Sequence, residues 1–344
     1  MIPLESLSIS STVSFSYIDT GKPSNASYTT IFAIPGLGST AHIFDQIHAI
    51  APAAGIRFVS INRRSYGSTT AYSSDEVSIL IKGTEKQKTV FLSERGHEIA
   101  LFIDSFSQKY QLPPISPDGR TGGAILIGWS LGNAVSIAAI AYADTLPSNV
   151  HSRFSRCIRR LVIHEPPSEV LGFDPPTKHW VPLLDTSLPE ELRMPAFNQW
   201  ITGYFKHSDL SKRDLDSLSY IIPATFRPPT IFNMSEEQVK KNFFSGPATL
   251  LDASWINFKA QFLVSFNKAV FDPNVRAKFS RMKVSYFSGD VSPSLGPAVF
   301  WKVEDEVKER GDSIHCELIH GFNHFPHWDE PKRTLQVYLN GGEH

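Results

Sequence analysis

The sequence predicts an α/β protein, a mostly parallel central sheet with helices on both faces and one helical insertion. Three observations carry this. Short apolar runs of strand length recur at 30–34, 57–61, 124–128 and 160–164. Stretches with apolar residues at helical spacing lie between them, as at Ile99, Phe102, Ile103 and Phe106. The rhythm then stops near residue 166 and resumes at 283. Strands alternating with helices join in parallel through helical crossovers.

The elements follow in order. Segments 5–10 and 12–18 alternate weakly and read as a strand hairpin. The run Thr30 to Ile34 is a buried strand that ends on the tight loop Pro35-Gly36-Leu37-Gly38. Residues 57–61 form the next strand, followed by the loop Asn62 to Thr70. A helix is expected over 94–110, closed by Pro113, Pro114 and Pro117. The strand 124–128 runs straight into Trp129-Ser130-Leu131-Gly132 and an Ala/Ile-rich helix to about 143. The strand 160–164 ends at Glu165-Pro166-Pro167. Residues 166–280 show no clear strand and carry Pro and aromatic residues in helical-looking stretches. Strands at 283–287 and 316–319 and a helix near 330–339 complete the chain. The expected division is a core of 1–165 and 281–344 with an inserted helical unit, 166–280.

Composition narrows the function classes. At roughly 150 residues per domain, 344 residues correspond to about two units, or one domain with a large insertion. Hydrophobic residues at 41% and charged residues at 19% are ordinary for a globular chain. With 33 Lys+Arg against 34 Asp+Glu, the charge of −1 draws neither nucleic acid nor anionic lipid. Arg153, Arg156, Arg159 and Arg160 cluster before the sixth strand and read as a solvated face. Cys157 and Cys316 cannot build a disulfide framework, so a reducing, cytoplasmic setting is expected. No signal-peptide pattern opens the chain, and no apolar run reaches the ~18 residues of a membrane span.

The sharpest chemical signal is Gly128-Trp129-Ser130-Leu131-Gly132, a G-x-S-x-G between strand and helix. A serine there sits on a strained turn at the carboxyl edge of the sheet. Side chains in place of the glycines would collide with the adjoining strand or helix. A serine hydroxyl needs a base. His324, in the loop after the last strand and before the last helix, is the candidate, because the chain order serine, acid, histidine that accompanies G-x-S-x-G places the base there. Two rival readings exist. His320, His324, His327 and Asp329 have ligand-like spacing for a metal, but Gly321 and Pro326 do not fix those rings on one face. Gly36-x-Gly38-x-x-Ala41 with Asn62-Arg63-Arg64 matches a dinucleotide fingerprint with a 2′-phosphate reader, so an NADP-binding oxidoreductase is the alternative from another class. No metal or cofactor is expected on the main reading.

These pieces together resemble the α/β-hydrolase superfamily, of the type with a helical cap. The matching segments are Pro35-Gly36-Leu37-Gly38, Asn62 to Thr69, the elbow at Ser130, and His324-Phe325-Pro326-His327-Trp328-Asp329-Glu330-Pro331, in the family's order. The Asn62 loop and Val162-Ile163-His164-Glu165-Pro166-Pro167 are similar to fungal members. The resemblance implies the α/β-hydrolase fold and hydrolytic or related acyl chemistry. It implies an oxyanion hole from the backbone N–H groups of Leu131 and Leu37. Many relatives have His-Gly where this chain has Pro35-Gly36, but the donor is a backbone group. Epoxide hydrolases and haloalkane dehalogenases carry aspartate at the elbow, and Ser130 argues against both.

The acid of the triad has two candidates. In most relatives it follows the seventh strand as Gly-x-x-Asp; here that stretch is Gly289-Asp290-Val291-Ser292, with Ser292 in the acid slot and Asp290 two positions early. Some relatives, a fungal lactonase among them, take it from after the sixth strand, where this chain has Glu165. The aromatic insertion reads as a cap over the site, with most of its rings building the cap's own core. The expected function is hydrolysis of a hydrophobic ester, lactone or thioester through an acyl-Ser130 intermediate. C–C bond hydrolysis or acyl transfer on the same residues, and a non-catalytic ligand-binding protein, are the alternatives. The partner is a hydrophobic small molecule, and the oligomeric state is open.

Overall fold

In the computed structural model, which describes residues 2–244, 246–311 and 314–341, the sheet begins as a hairpin. Strands β1 (Leu4–Ser8) and β2 (Ser14–Asp19) pair antiparallel, Leu4 opposite Ile18. β2 pairs antiparallel with β4 (Ile56–Ile61), and β4 runs parallel to β3 (Thr29–Ile34). β5 (Ala124–Trp129), β6 (Ile158–His164), β7 (Lys283–Gly289) and β8 (His315–Ile319) then add in parallel. The order is β1-β2-β4-β3-β5-β6-β7-β8. Every residue of β3, β4 and β5 is buried, which is why they read as continuous apolar runs.

Helices α1 (Asp45–Ile50), α2 (Ser74–Lys82), α3 (Glu85–Tyr110), α4 (Asn133–Ala141) and α5 (Ser148–Cys157) precede β6. Between β6 and β7 lie α6 (Glu190–Ile201), α7 (Glu236–Asn242), α8 (Pro247–Asp252), α9 (Lys259–Phe271) and α10 (Pro273–Lys278), linked by short 3-10 turns. Helix α11 (Leu295–Arg310) separates β7 from β8, and α12 (Pro326–Asp329) and α13 (Pro331–Asn340) follow β8. None of the described helices is long and apolar enough to cross a membrane.

The sheet alternates its side chains between two cores, as a period of two requires. Phe32, Ile34, Leu126, Leu161 and Tyr286 face α3, α4, α9 and α11. Ile31, Ala33, Ile125, Ile127 and Phe287 face α1 and α13. Helix α3 starts nine residues before its apolar periodicity, because Thr84 and Gln87 close a capping box. Ser73 and Glu76 do the same for α2. Arg160, expected on a solvated face, is instead buried in β6 and donates to Ser285 Oγ at 2.6 Å. Arg153 pairs with buried Asp104 at 2.6 Å on the surface of α5.

On the α1/α13 face His327 is fully buried among Phe44, Trp129 and Phe325, with ring centroids at 4.9, 4.5 and 5.6 Å. Neither of its ring nitrogens has a hydrogen-bond partner. Burial, with a smaller contribution from His324, holds its pKa well below the usual histidine value. The unfolded chain therefore takes up a proton below about pH 6.5 that the folded chain does not, and stability falls as pH falls through that range. His327→Leu is expected to shrink the loss of unfolding free energy between pH 7.5 and pH 5 by about 1–2 kcal/mol. Urea melts at the two pH values test this; an unchanged difference would show that the imidazole is protonated in the fold.

Candidate active site

The carboxyl ends of β5, β6 and β8 converge on one cavity. The elbow comes first. Ser130 follows β5 with φ at 53°, in the left-handed region that a non-glycine residue enters only at a cost. A Cβ on Gly128 would lie 2.5 Å from Asn133 Cα, and one on Gly132 2.2 Å from the Ile34 carbonyl oxygen. Strand and helix thus meet as closely as the sequence pattern requires. Asn133 opens α4 and donates through Nδ2 to the carbonyls of Ser130 (2.9 Å) and His164 (3.0 Å). A Cβ on Gly36 would stand 2.7 Å from Ser130 Cβ, so the loop after β3 lies directly on the serine.

His324 stands in the loop after β8 and is 5% exposed. Two anchors hold that loop. Trp129 Nε1 donates to the His324 carbonyl at 2.9 Å. Asn323 Nδ2 donates to the Thr202 carbonyl (3.0 Å) and Thr230 Oγ1 (2.8 Å), both in the insertion. The His324 Nδ1 atom lies 3.0 Å from Glu165 Oε1.

Glu165 is 2% exposed and follows β6 with φ at 46°. Ser292 Oγ also donates to its Oε1, and the Gly289 N–H donates to its Oε2 at 3.2 Å. The carboxylate is thus fully engaged without a cation. Asp290, the other candidate acid, faces elsewhere. Its Oδ2 lies 2.8 Å from Nδ1 of exposed His320, and its Oδ1 accepts from the Gly321 N–H at 2.7 Å. Its own N–H donates to the Ile319 carbonyl, so the residue extends the β7–β8 edge and its side chain stays on that edge. The structure therefore brings Glu165, and not Asp290, to His324.

Ser130, His324, Glu165, Leu37 and Leu131 line one cavity of about 930 Å³, its mouth included. Val181, Leu183, Phe197, Trp200, Ile256 and Phe262 of the insertion line it as well. Most other insertion rings, such as Tyr204, Phe205, Phe258 and Phe266, are buried in the packing. The insertion also contributes polar groups that the sequence did not single out: Glu169, His179 and Asp252. His179 Nδ1 is buried without a partner, and burial pushes this imidazole down to about 4, so it is neutral at pH 7. Asp252 forms a bidentate pair with Arg63, at 2.8 and 2.6 Å. No local motif marks such a pair, because its members lie 189 positions apart.

The rival chemistries find no matching geometry. Arg63 is taken by Asp252 and Arg64 by Glu98 and Glu76, so neither is presented to a 2′-phosphate. His320 pairs with Asp290, His327 is enclosed by aromatic rings, and Asp329 accepts from Tyr204, Thr230 and Asn233. Among the described residues no three His, Cys, Asp or Glu side chains are grouped to hold a metal ion. Burial pushes the thiols of Cys157 and Cys316 up to about 11 and about 12, away from nucleophilic thiolate character.

Comparison with known proteins agrees with this architecture. The chain is structurally similar to the thioesterase domain from the curacin biosynthetic pathway, at 14% identity, TM-score 0.51 and 99% coverage of each chain. It is similar to a carboxylesterase of the thaumarchaeon Nitrososphaera gargenis, at 15% identity and TM-score 0.52, covering 98% of this chain and 97% of that one. Epoxide hydrolase A from Mycobacterium thermoresistibile matches at 12% identity and TM-score 0.50, with 99% and 98% covered. At such identities the likeness is one of fold. No curated protein matches the sequence. The alpha/beta hydrolase family model matches residues 31–337, nearly the whole chain, and with the parallel sheet and its strand-turn-helix serine it establishes that this protein belongs to the alpha/beta hydrolase family.

Proposed function

We propose that this protein is a serine hydrolase that cleaves a hydrophobic ester, lactone or thioester, with Ser130 as nucleophile, His324 as general base and Glu165 as the acid that orients it. One observation carries the reading. A serine on a strained elbow shares an apolar cavity with a histidine whose far nitrogen lies 3.0 Å from a buried carboxylate.

The chemistry follows from the positions. His324 Nε2 takes the Ser130 proton as Oγ attacks the substrate carbonyl carbon. The carbonyl π pair moves to oxygen, and the Leu131 and Leu37 N–H groups stabilise that oxyanion. As the tetrahedral intermediate collapses, His324 gives the proton to the leaving alcohol or thiol. Water then repeats the sequence on the acyl-serine and releases the acid. Glu165 keeps the proton on His324 Nδ1 and stabilises the imidazolium. In a lactone the leaving alcohol stays tethered to the acyl group, so a single product results.

The insertion serves as a cap in this scheme. Its Val181, Phe197, Trp200 and Phe262 side chains line the cavity that holds the serine and favour a bulky apolar acyl or alcohol portion. The serine nucleophile separates this reading from epoxide opening, which the resemblance associates with an elbow aspartate.

Two measurements test the proposal. Intact-protein mass after fluorophosphonate treatment is expected to show one adduct on the wild type and none on Ser130→Ala. An adduct that persists on Ser130→Ala would overturn the nucleophile. On an ester substrate, Glu165→Gln is expected to lower kcat by about 10³–10⁴-fold, as losing the orienting carboxylate does elsewhere. Asp290→Asn is expected to stay within about threefold of wild type; the reverse ranking would move the acid to Asp290.

A further inference from the structure

We infer that Asp252 of the insertion and Arg63 of the core act as a positioning pair for the oxyanion hole, coupling the seating of the insertion to the competence of the serine. The inference rests on the serine-hydrolase reading above.

Arg63 lies in the loop after β4 and is 5% exposed; Asp252 closes α8 and is equally buried. Their bidentate pair reaches further. Arg63 Nη2 also donates to the Gly36 carbonyl at 3.0 Å. The Gly38 N–H donates to Asp252 Oδ2 at 3.2 Å and to the Tyr66 hydroxyl at 3.1 Å. The Tyr66 hydroxyl in turn donates to Asp252 Oδ2. Leu37, the proposed second oxyanion donor, is thus clamped at the residue before it and the residue after it.

The clamp controls a direction. The Gly36 C=O and the Leu37 N–H belong to one peptide unit, which is planar and trans, so the two bonds point opposite ways. Holding the carbonyl on Arg63 turns the N–H away from Arg63. Leu37 lines the Ser130 cavity and Arg63 does not. The guanidinium also polarises the amide it binds, which strengthens the N–H as a donor in a low-dielectric site. Asp252 fixes where that guanidinium sits, and Asp252 comes from the insertion.

A second bridge between insertion and core offers a control. Lys241 of α7 pairs with Asp45 at 2.8 Å, but neither residue hydrogen-bonds Gly36, Leu37 or Gly38. Removing this bridge takes away one insertion–core ion pair and leaves the clamp, and the position of Asp252, as they are.

The test uses the full chain, a para-nitrophenyl ester of an apolar acid, and two inhibitors of the same chain length. One is a trifluoromethyl ketone, which forms a serine adduct with an oxyanion; the other is the matching methyl carbinol, which cannot. Arg63→Met is expected to lower kcat by about 10–100-fold, part of the 10²–10³ lost when an oxyanion donor is deleted outright. KM stays within about threefold, ketone affinity falls in parallel with kcat, and carbinol affinity holds. Since either single substitution leaves the other charge buried and unpaired, the double variant Arg63→Met/Asp252→Leu removes both charges and keeps the fold testable. It is expected to show the same kinetic losses with a thermal midpoint near wild type. Lys241→Met is expected to change neither kcat nor ketone affinity. Wild-type kcat and ketone affinity in both the Arg63→Met and the double variant would overturn the coupling. So would a rise in KM with kcat unchanged. A wild type that neither hydrolyses the ester nor takes up fluorophosphonate would instead overturn the hydrolase reading, and this inference with it.

Discussion

One side-chain amide ties the site together. Ser130 and Glu165 end adjacent parallel strands, and both adopt positive φ, at 53° and 46°. Each such residue costs on the order of 1 kcal/mol relative to ordinary backbone. Asn133 Nδ2 donates to the carbonyl of Ser130 and to that of His164, the residue before Glu165. The amide is wholly buried, so its two hydrogen bonds have no competing water. Both strained turns thus lean on the first residue of α4, and the fold holds serine and carboxylate in a fixed relation. His324 then enters from β8, held by Trp129 on the core side and by Asn323 on the insertion side.

Features set by neighbours in the chain were legible in the sequence. The elbow is five consecutive residues whose glycines answer local collisions, so Ser130 and its flanking strand and helix could be read directly. His324 followed from the order of strands. Features set by packing between distant segments were not legible. The choice between Glu165 and Asp290 depends on which way two side chains point at the ends of β6 and β7, and spacing alone does not encode that. Arg160 looked solvated because its partner, Ser285, lies on another strand. Helix α11 went unread although a parallel β7–β8 pair demands a crossover. The insertion reads helical in sequence but is largely short helices and 3-10 turns, broken by its prolines.

The position of Glu165 follows from the same sheet geometry. β6 and β7 are neighbours, and the Glu165 N–H continues their ladder by donating to the Phe287 carbonyl at 3.1 Å. A carboxylate leaving β6 must cross about one strand spacing, roughly 4.8 Å, to reach the place an acid after β7 would occupy. Glutamate has one more methylene than aspartate, which suits that longer reach. The donors that hold the carboxylate come from β7 and the turn beyond it: the Gly289 N–H and the Ser292 hydroxyl. Ser292 stands where the resemblance places the acid, three residues after Gly289. An aspartate there would place a second negative charge against Glu165, whereas a serine supplies a proton. In this chain the two positions are therefore coupled: the serine after β7 supplies the proton that the carboxylate after β6 accepts.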